Sequence, residues 1–401
     1  MSRIIFLFPL WISLIPENIQ NRYYLFFRIF LIPMFIYLFI RYAQKYLNYI
    51  LGDFPYWIFL FSLSLSFIFA QNQAIGLTRI YKLILDSLLI YFSLAYLVRL
   101  YKKNISHAFC FLGTFVAFIG LLELFYHKNI LYENFISNPF YTRYLQRFRI
   151  MSTQLHPSVL GTYFLSVLPF CYYLIIKNKK SLKILGITSS ILIWLGLILT
   201  FARSAILGAM ISLIIFLWQK KYKKFLAKIL GIIILILLLF TFFTNRFYAL
   251  HKNFLDLWIK RTSISYRLER FPTVFKMLKE HPFTGVGIEN FRYLFDKYHA
   301  QQNIPYEFKI PDNMYLMLLA ETGLIGFIAF LYFLFNLLRK SLKAMADEEN
   351  GQFLRLCICG FFGLLFNMFS YDLFYWNMPF CFFWMYAGII KSYSDLQNEK
   401  N

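Results

Sequence analysis

Ile229-Leu-Gly-Ile-Ile-Ile-Leu-Ile-Leu-Leu-Leu-Phe-Thr-Phe-Phe243 carries no charged side chain, and Lys220, Lys221, Lys223, Lys224 and Lys228 crowd its N-terminal flank. A hydrocarbon core takes roughly 20 apolar residues of helix to cross. Inside it every backbone N–H and C=O must be paired within the chain. The run therefore predicts a helix across a bilayer, stopped on one side by a block of positive charge. Outward from it the same pattern recurs. Spans are expected at 4–20, 23–40, 54–70, 79–100, 105–126, 157–176, 182–202, 204–219, 225–243, 314–338, 353–371 and 374–391, about 12 transmembrane helices. Pro9 and Pro16 make the first of these the weakest. No small-x-small site follows it, so it does not read as a signal peptide.

Composition agrees with that pattern. Of 401 residues, 60% are hydrophobic and 15% charged, against roughly 25% charged in a soluble domain. Mean hydropathy is +0.57. A soluble globular enzyme, a disordered chain and a collagen-like fibre are all excluded. The fold class expected is an all-α polytopic membrane protein. The formal net charge of +22 would suggest nucleic acid in a soluble protein. Here it serves topology and attraction to anionic headgroups, so membrane lipids are expected partners and nucleic acid is not.

The basic residues set the orientation. The flanks holding Arg3, Arg41, Lys45, Arg99, Lys102, Lys103, the lysines 177–183 and 220–228, Arg339, Lys340, Lys343, Arg355, Lys391 and Lys400 carry more than twice the basic residues of the alternate short flanks. The richer side is cytoplasmic by the positive-inside rule, which puts both termini inside. The expected organisation is helices 1–9 over 1–243, a large extracytoplasmic loop over 244–313, helices 10–12 over 314–391 and a cytoplasmic tail over 392–401. Phe254, Leu257 and Trp258, and again Phe271, Val274, Phe275 and Leu278, recur at helical spacing in that loop. They predict short amphipathic helices at the membrane surface, with Gly285-Val-Gly287 as a turn. A shorter loop on the same side, 127–156, holds Arg143, Arg147 and Arg149.

Three places have the residue types for chemistry. Arg203, in Leu199-Thr-Phe-Ala-Arg203-Ser-Ala, sits between two apolar spans with almost no loop. It reads either as a snorkelling interfacial arginine or as an anion-binding group facing a cavity. Arg267 and Arg270, three apart in Ser265-Tyr-Arg267-Leu-Glu-Arg270, share a helix face. They form either a solvated basic face beside Glu269 or a fork for phosphate oxygens. Asp312, in Pro311-Asp-Asn-Met-Tyr315, is placed to cap the next span or to accept a proton from a hydroxyl nucleophile. Asp86 with Lys82, and Glu123 with His127, have the spacing of intrahelical pairs. No acidic chain crosses the bilayer, which argues against proton-coupled transport. His156, His281 and His299 read as structural. Cys110, Cys171, Cys357, Cys359 and Cys381 lie in apolar stretches and read as buried small hydrophobes. No metal motif or Gly-rich phosphate loop is present.

Four segments together resemble the O-antigen ligase and Wzy-type O-antigen polymerase family. They are Thr200-Phe-Ala-Arg203-Ser-Ala-Ile-Leu-Gly208; Arg267 followed by His281-Pro-Phe-Thr-Gly285-Val-Gly287-Ile-Glu-Asn-Phe291; Pro311-Asp-Asn-Met-Tyr-Leu316 running to Glu321-Thr-Gly323-Leu-Ile-Gly326; and, more weakly, Arg149-Ile-Met-Ser-Thr-Gln-Leu-His-Pro157-Ser-Val-Leu-Gly161. The likeness covers about 145–335. It implies a GT-C-like glycosyltransferase of the bacterial inner membrane, without metal or cofactor. Its donor would be a glycan on a polyprenyl (undecaprenyl) diphosphate, and its acceptor a lipid A-core or another glycan. A chain-length regulator stands only as a further candidate partner. By the resemblance, Arg203 and Arg267 match the family's diphosphate-binding arginines. Asp312 stands where family ligases carry the histidine of a His-Asn pair, as the base. The catalytic set expected is thus Asp312, Arg203 and Arg267, with Arg270, Arg149, Asn313 and Tyr315 binding substrate. Ligase, polymerase, and transporter or flippase of lipid-linked sugars are the readings carried forward.

Overall fold

A computed structural model of the chain describes residues 7–16, 28, 31–33, 35–41, 46–132, 149–176, 179–217, 267–300, 304, 306–344 and 348–398. The expected span 225–243, the loop stretch 244–266, Arg143 and Arg147 lie outside the described residues. Among those described, the regular structure is all helical: α1 (Leu7–Leu14), α2 (Phe54–Ile68), α3 (Gln73–Leu88), α4 (Ala95–Leu100), α5 (Lys102–Tyr126), α6 (Pro157–Ile176), α7 (Lys180–Leu199), α8 (Arg203–Leu217), α9 (Phe271–Glu280), α10 (Asn290–Tyr298), α11 (Met314–Ala344), α12 (Glu348–Asn367) and α13 (Asn377–Asn398). Six stretches are long and apolar enough to cross a membrane: Gln73–Val98, Lys102–Tyr126, Pro157–Ile176, Lys180–Leu199, Met314–Ser341 and Gly351–Ser370. Leu31–Arg41, Phe54–Ile68 and Arg203–Leu217 are apolar but shorter.

The central helices are α6 and α13, and both are buried along most of their length. Helix α6 packs on α5, α7 and α12, while α13 packs on α11, α12 and α4. The peripheral helices turn large apolar side chains outward, among them Phe61, Phe111, Phe118, Ile191, Leu207, Ile328 and Phe335. That is the reverse of a soluble protein's surface and suits contact with lipid. Close approach replaces the hydrophobic drive that a bilayer does not supply. A Cβ on Gly208 would meet the Gly363 carbonyl oxygen at 2.6 Å, so α8 and α12 cross backbone to backbone.

Polar groups inside the bundle take long-range partners beyond the local ones expected. The Asp86 carboxylate accepts from Arg28 Nε at 2.8 Å and Nη2 at 3.1 Å, a bidentate pair between distant segments. Glu123 accepts from the Met151 and Ser152 amides at 2.8 Å each and from Asn129. It thus ties residues 150–154 to the end of α5. Lys391, read as a flanking basic residue, is buried and lies 3.2 Å from Asp53. Tyr91, in a π-helical turn at Leu89–Leu94, donates to that same carboxylate at 2.6 Å. The five cysteines are buried thiols, as their apolar neighbours predicted.

The Gly285 and Gly323 motifs lock together. Helix α11 is broken at Gly323, which has φ 62° and ψ −165°. Into that break fits the 281–287 turn. Val286 N donates to Ala320 O and Gly287 N to Glu321 O, both at 3.0 Å, while Leu324 N donates to Pro282 O at 2.8 Å. A Cβ on Gly323 would stand 2.4 Å from the Phe283 carbonyl oxygen, and one on Gly285 2.4 Å from the Glu321 carbonyl carbon. Both positions require glycine. This interlock seats α9 against α11 and places Arg267 and Arg270, just before α9, over the start of α11.

Candidate functional site

The residues picked out from the sequence gather at one end of the bundle, where α7 ends, α8, α11 and α13 begin, and α12 ends. Thr200, Phe201 and Ala202 make the turn between α7 and α8. Phe201 takes φ 51°, and Thr200 Oγ1 donates to Leu197 O at 2.7 Å and accepts from Ala202 N at 3.1 Å. Gly161 admits the turn, since a Cβ there would meet that of Ala202 at 2.7 Å. Arg149 braces it from outside, with Nε donating to Thr200 O at 2.9 Å. Arg203 is the first residue after this turn and lies within electrostatic range of Arg267.

Arg267 is the centre of the group. Its Nη2 lies 3.7 Å from Asp312 Oδ2, with both side chains about 30% exposed, and it donates to Ser370 O at 3.4 Å. Asp312 takes φ 46°, which turns it out of line with α11. The cap that Asp312 was a candidate for is made by Asn313, whose Oδ1 accepts from Leu316 N at 3.1 Å while Nδ2 donates to Phe369 O at 2.8 Å. Tyr315 ties α11 to α12, its hydroxyl donating to Leu365 O at 2.9 Å. Asn313 and Tyr315 thus both bind backbone. Arg270 is buried, with 2% exposure. Its Nη1 meets His299 Nε2 at 2.9 Å and its guanidinium lies 4.9 Å over the Phe295 ring, yet its charge is felt at Asp312.

Several residues reach this place without having stood out in the sequence. Asp372, between α12 and α13, is 1% exposed. One oxygen accepts from Trp376 Nε1 at 3.2 Å, and Oδ2 has no hydrogen-bond partner. It lies within electrostatic range of Asp312 and of Arg292 on α10. Trp376 stacks on Tyr371 at 6.0 Å and lies tilted against His156 at 4.8 Å, which brings the residue before α6 to the same rim.

Electrostatics separates the titrating groups. Burial pushes the Asp312 carboxyl above the usual aspartate range, against the pull of Arg267, Arg270 and Arg292. Burial, then the charge of Asp312, raises Asp372 to about 7. Two carboxyl groups sharing a site ionise less readily together than apart. Burial and the Arg149 charge push His156 down to about 3, so it stays neutral at physiological pH. The site therefore offers guanidinium groups for an anion, a basic carboxylate beside them and an aromatic rim. Among the described residues, no cluster of His, Cys, Asp and Glu has the spacing to hold a metal ion.

A second polar group lies deeper. Arg79 pairs with Glu289 at 3.7 Å and stacks 4.3 Å over Tyr375, whose hydroxyl donates to Glu321. It closes around the Gly285–Gly323 interlock rather than opening to the arginine cluster.

Compared with known proteins, residues 188–331 match the family model described as O-antigen ligase. That stretch holds Arg203, Arg267, Arg270, Asp312, Asn313 and Tyr315, whereas Arg149, His156 and Asp372 fall outside it. No curated protein matches the chain. With the Arg203, Arg267 and Asp312 motifs inside it and an all-helical bundle around it, the segment 188–331, about a third of the chain, is thus similar to the O-antigen ligase and Wzy-type family.

Proposed function

We propose that this protein transfers a glycan from a polyprenyl-diphosphate carrier to a sugar hydroxyl of a lipid A-core or similar acceptor, at the extracytoplasmic face of the bacterial inner membrane. The observation that carries this reading is the meeting of Arg203, Arg267 and Asp312 at one mouth of the bundle, with Arg267 3.7 Å from Asp312 and in range of Arg203. A diphosphate needs two or more positive groups at fixed spacing, and an acceptor hydroxyl needs a base beside them. Without donor, Asp312 serves as the counter-ion of Arg267. When the diphosphate arrives it takes over that role and frees the carboxylate to act.

The chemistry is an inverting transfer. The Asp312 carboxylate takes the proton of the acceptor hydroxyl, and the hydroxyl oxygen attacks the anomeric carbon. The bond from that carbon to the diphosphate oxygen breaks, and the diphosphate leaves on its lipid. Arg203 and Arg267 meet the charge that develops on the leaving group, where preorganised donors lower a barrier most. Arg149 supports the Arg203 turn, and Arg270 and Arg292 keep Asp312 ionised against its burial. Holding both sugars in line supplies much of the remaining rate.

Arg203→Ala and Arg267→Ala should each lower glycan transfer by about 100-fold or more with normal membrane insertion. Asp312→Asn should cost about 10²–10⁴-fold. Because Asn313 provides the helix cap, Asp312→Asn tests the base without removing a cap. Full activity in any of the three variants removes that residue from the mechanism. A lipopolysaccharide gel of a deletion strain then fixes the reaction. Bare core identifies a ligase, and core bearing one repeat identifies a polymerase joining lipid-linked units. Precursor stranded on the inner leaflet identifies a flippase and refutes transfer.

A further inference from the structure

We infer that His299 is a positioning residue for the Asp312 carboxylate, acting through Arg270 as a neutral hydrogen-bond acceptor. The inference rests on the reading of Asp312 as base.

The geometry fixes the imidazole's state. Arginine only donates, so the 2.9 Å approach of Arg270 Nη1 to His299 Nε2 makes that nitrogen the acceptor. The other nitrogen, Nδ1, lies 2.8 Å from Thr273 Oγ1 and carries the proton toward it. Thr273 is buried at the start of α9, and His299 follows the end of α10. The Phe295 ring carries both groups, with the imidazole stacked at 4.5 Å and the guanidinium at 4.9 Å. Arg270 Nη2 also reaches Phe308 O at 3.5 Å. The chain Thr273–His299–Arg270 thus ends in a buried cation whose charge is felt at Asp312.

This arrangement has no tolerance for a protonated His299. An imidazolium would place an N–H against a guanidinium N–H, with two like charges at hydrogen-bond distance. Glu269, Lys276 and Asp296 also act on the ring, with Lys276 opposing its protonation and Glu269 and Asp296 favouring it. Burial first and Arg270 second hold its pKa below the ordinary histidine value. On acidification His299 would let go of Arg270. Asp312, partly desolvated and deprived of one of its cations, would then protonate and lose its power as base.

The test compares wild type, His299→Gln, His299→Ala and Asp312→Asn as full-length protein in lipid vesicles. Transfer of labelled glycan from its polyprenyl diphosphate and thermal midpoint are followed between pH 5 and 8.5. Glutamine offers an acceptor to Arg270 and a donor to Thr273 at every pH. His299→Gln should keep wild-type kcat within about threefold at pH 7.5 and move the acid limb of kcat/KM down by half a pH unit or more. His299→Ala should lose tenfold or more in kcat at similar KM, with the acid limb moved up. Independently of activity, the depressed imidazole pKa stabilises the fold above the unfolded-state value of about 6.5, and that contribution is lost as pH falls through the folded value. The midpoint of wild type should therefore fall relative to His299→Gln as pH drops below about 6.5. A pH-independent difference overturns the inference, even in a preparation without activity. So does an acid limb shared by wild type and His299→Gln, or full activity in His299→Ala, while Asp312→Asn is dead. Full activity in Asp312→Asn instead refutes the base and leaves the thermal comparison to decide the state of His299.

Discussion

Asp312 and Asp372 carry the same functional group and face the same arginine, Arg292, yet their surroundings give them different work. Asp312 is partly exposed and paired with Arg267. Asp372 is sealed, its Oδ2 without a partner, and its pKa stands at about 7. An acid with a raised folded pKa contributes stability that is complete below its unfolded value near 3.9, and loses it as pH rises through the folded value. Asp372→Asn removes the titration and keeps the acceptor for Trp376. The variant should melt at about the wild-type temperature at pH 3.5, above it by pH 6 and several degrees above it at pH 8.5, by calorimetry in detergent. A difference independent of pH would mean that Asp372 carries its charge in the fold at no cost. Arg203, Arg267 and Asp312 were legible in the sequence because each lies in a short polar motif cut out of apolar surroundings. Asp372, Arg292 and Trp376 were not. A lone Asp between two spans, an Arg on an amphipathic helix and an interfacial Trp look ordinary, and only the packing of α10, α12 and α13 brings them to the site.

At the scale of elements, apolar runs gave away most helices, but polar partners inside the bundle escaped local reasoning. Asp86 bonds to Arg28, 58 residues away, and Glu123 anchors the backbone amides at 151 and 152, partners that helical spacing does not announce. A buried carboxylate takes the partners that satisfy both its oxygens, and helical spacing supplies at best one. The Gly285-Val-Gly287 segment was legible as a turn. Its partner, the break in α11 at Gly323, was not, because a glycine within an apolar run also reads as part of a continuous span. The interlock makes a sharp prediction. Gly323→Ala combines a left-handed φ with a Cβ 2.4 Å from the Phe283 carbonyl oxygen. Positive φ alone costs of order 1–3 kcal/mol for such a residue. The variant should therefore lose at least about 3 kcal/mol of stability. It should also lose transfer activity, since the loop carrying Arg267 and Arg270 docks through this joint. Wild-type melting and activity in Gly323→Ala would show that α11 can straighten without disturbing the site.

On the scale of the whole molecule, the site is useful only if it faces the compartment where the acceptor waits. Counting basic flanks predicts that the Arg203 mouth is extracytoplasmic, and the fold supplies a direct way to ask. Helix α9 belongs to the loop domain that forms the mouth, and Lys279 near its end is exposed. Lys180, at the first turn of α7, is exposed at the far end of a helix that runs 20 residues from there to the Arg203 turn. At about 1.5 Å per residue that is roughly 30 Å, the thickness of a hydrocarbon core. The native cysteines are all buried, so a thiol reagent meets little background. Lys279→Cys should react with a membrane-impermeant maleimide in intact spheroplasts, whereas Lys180→Cys should react only after the membrane is opened. The reverse pattern would turn the arginine cluster toward the cytoplasm. The diphosphate site would then stand on the face where lipid-linked sugars are assembled, and the transfer proposed here would have to give way to a reaction on the inner leaflet.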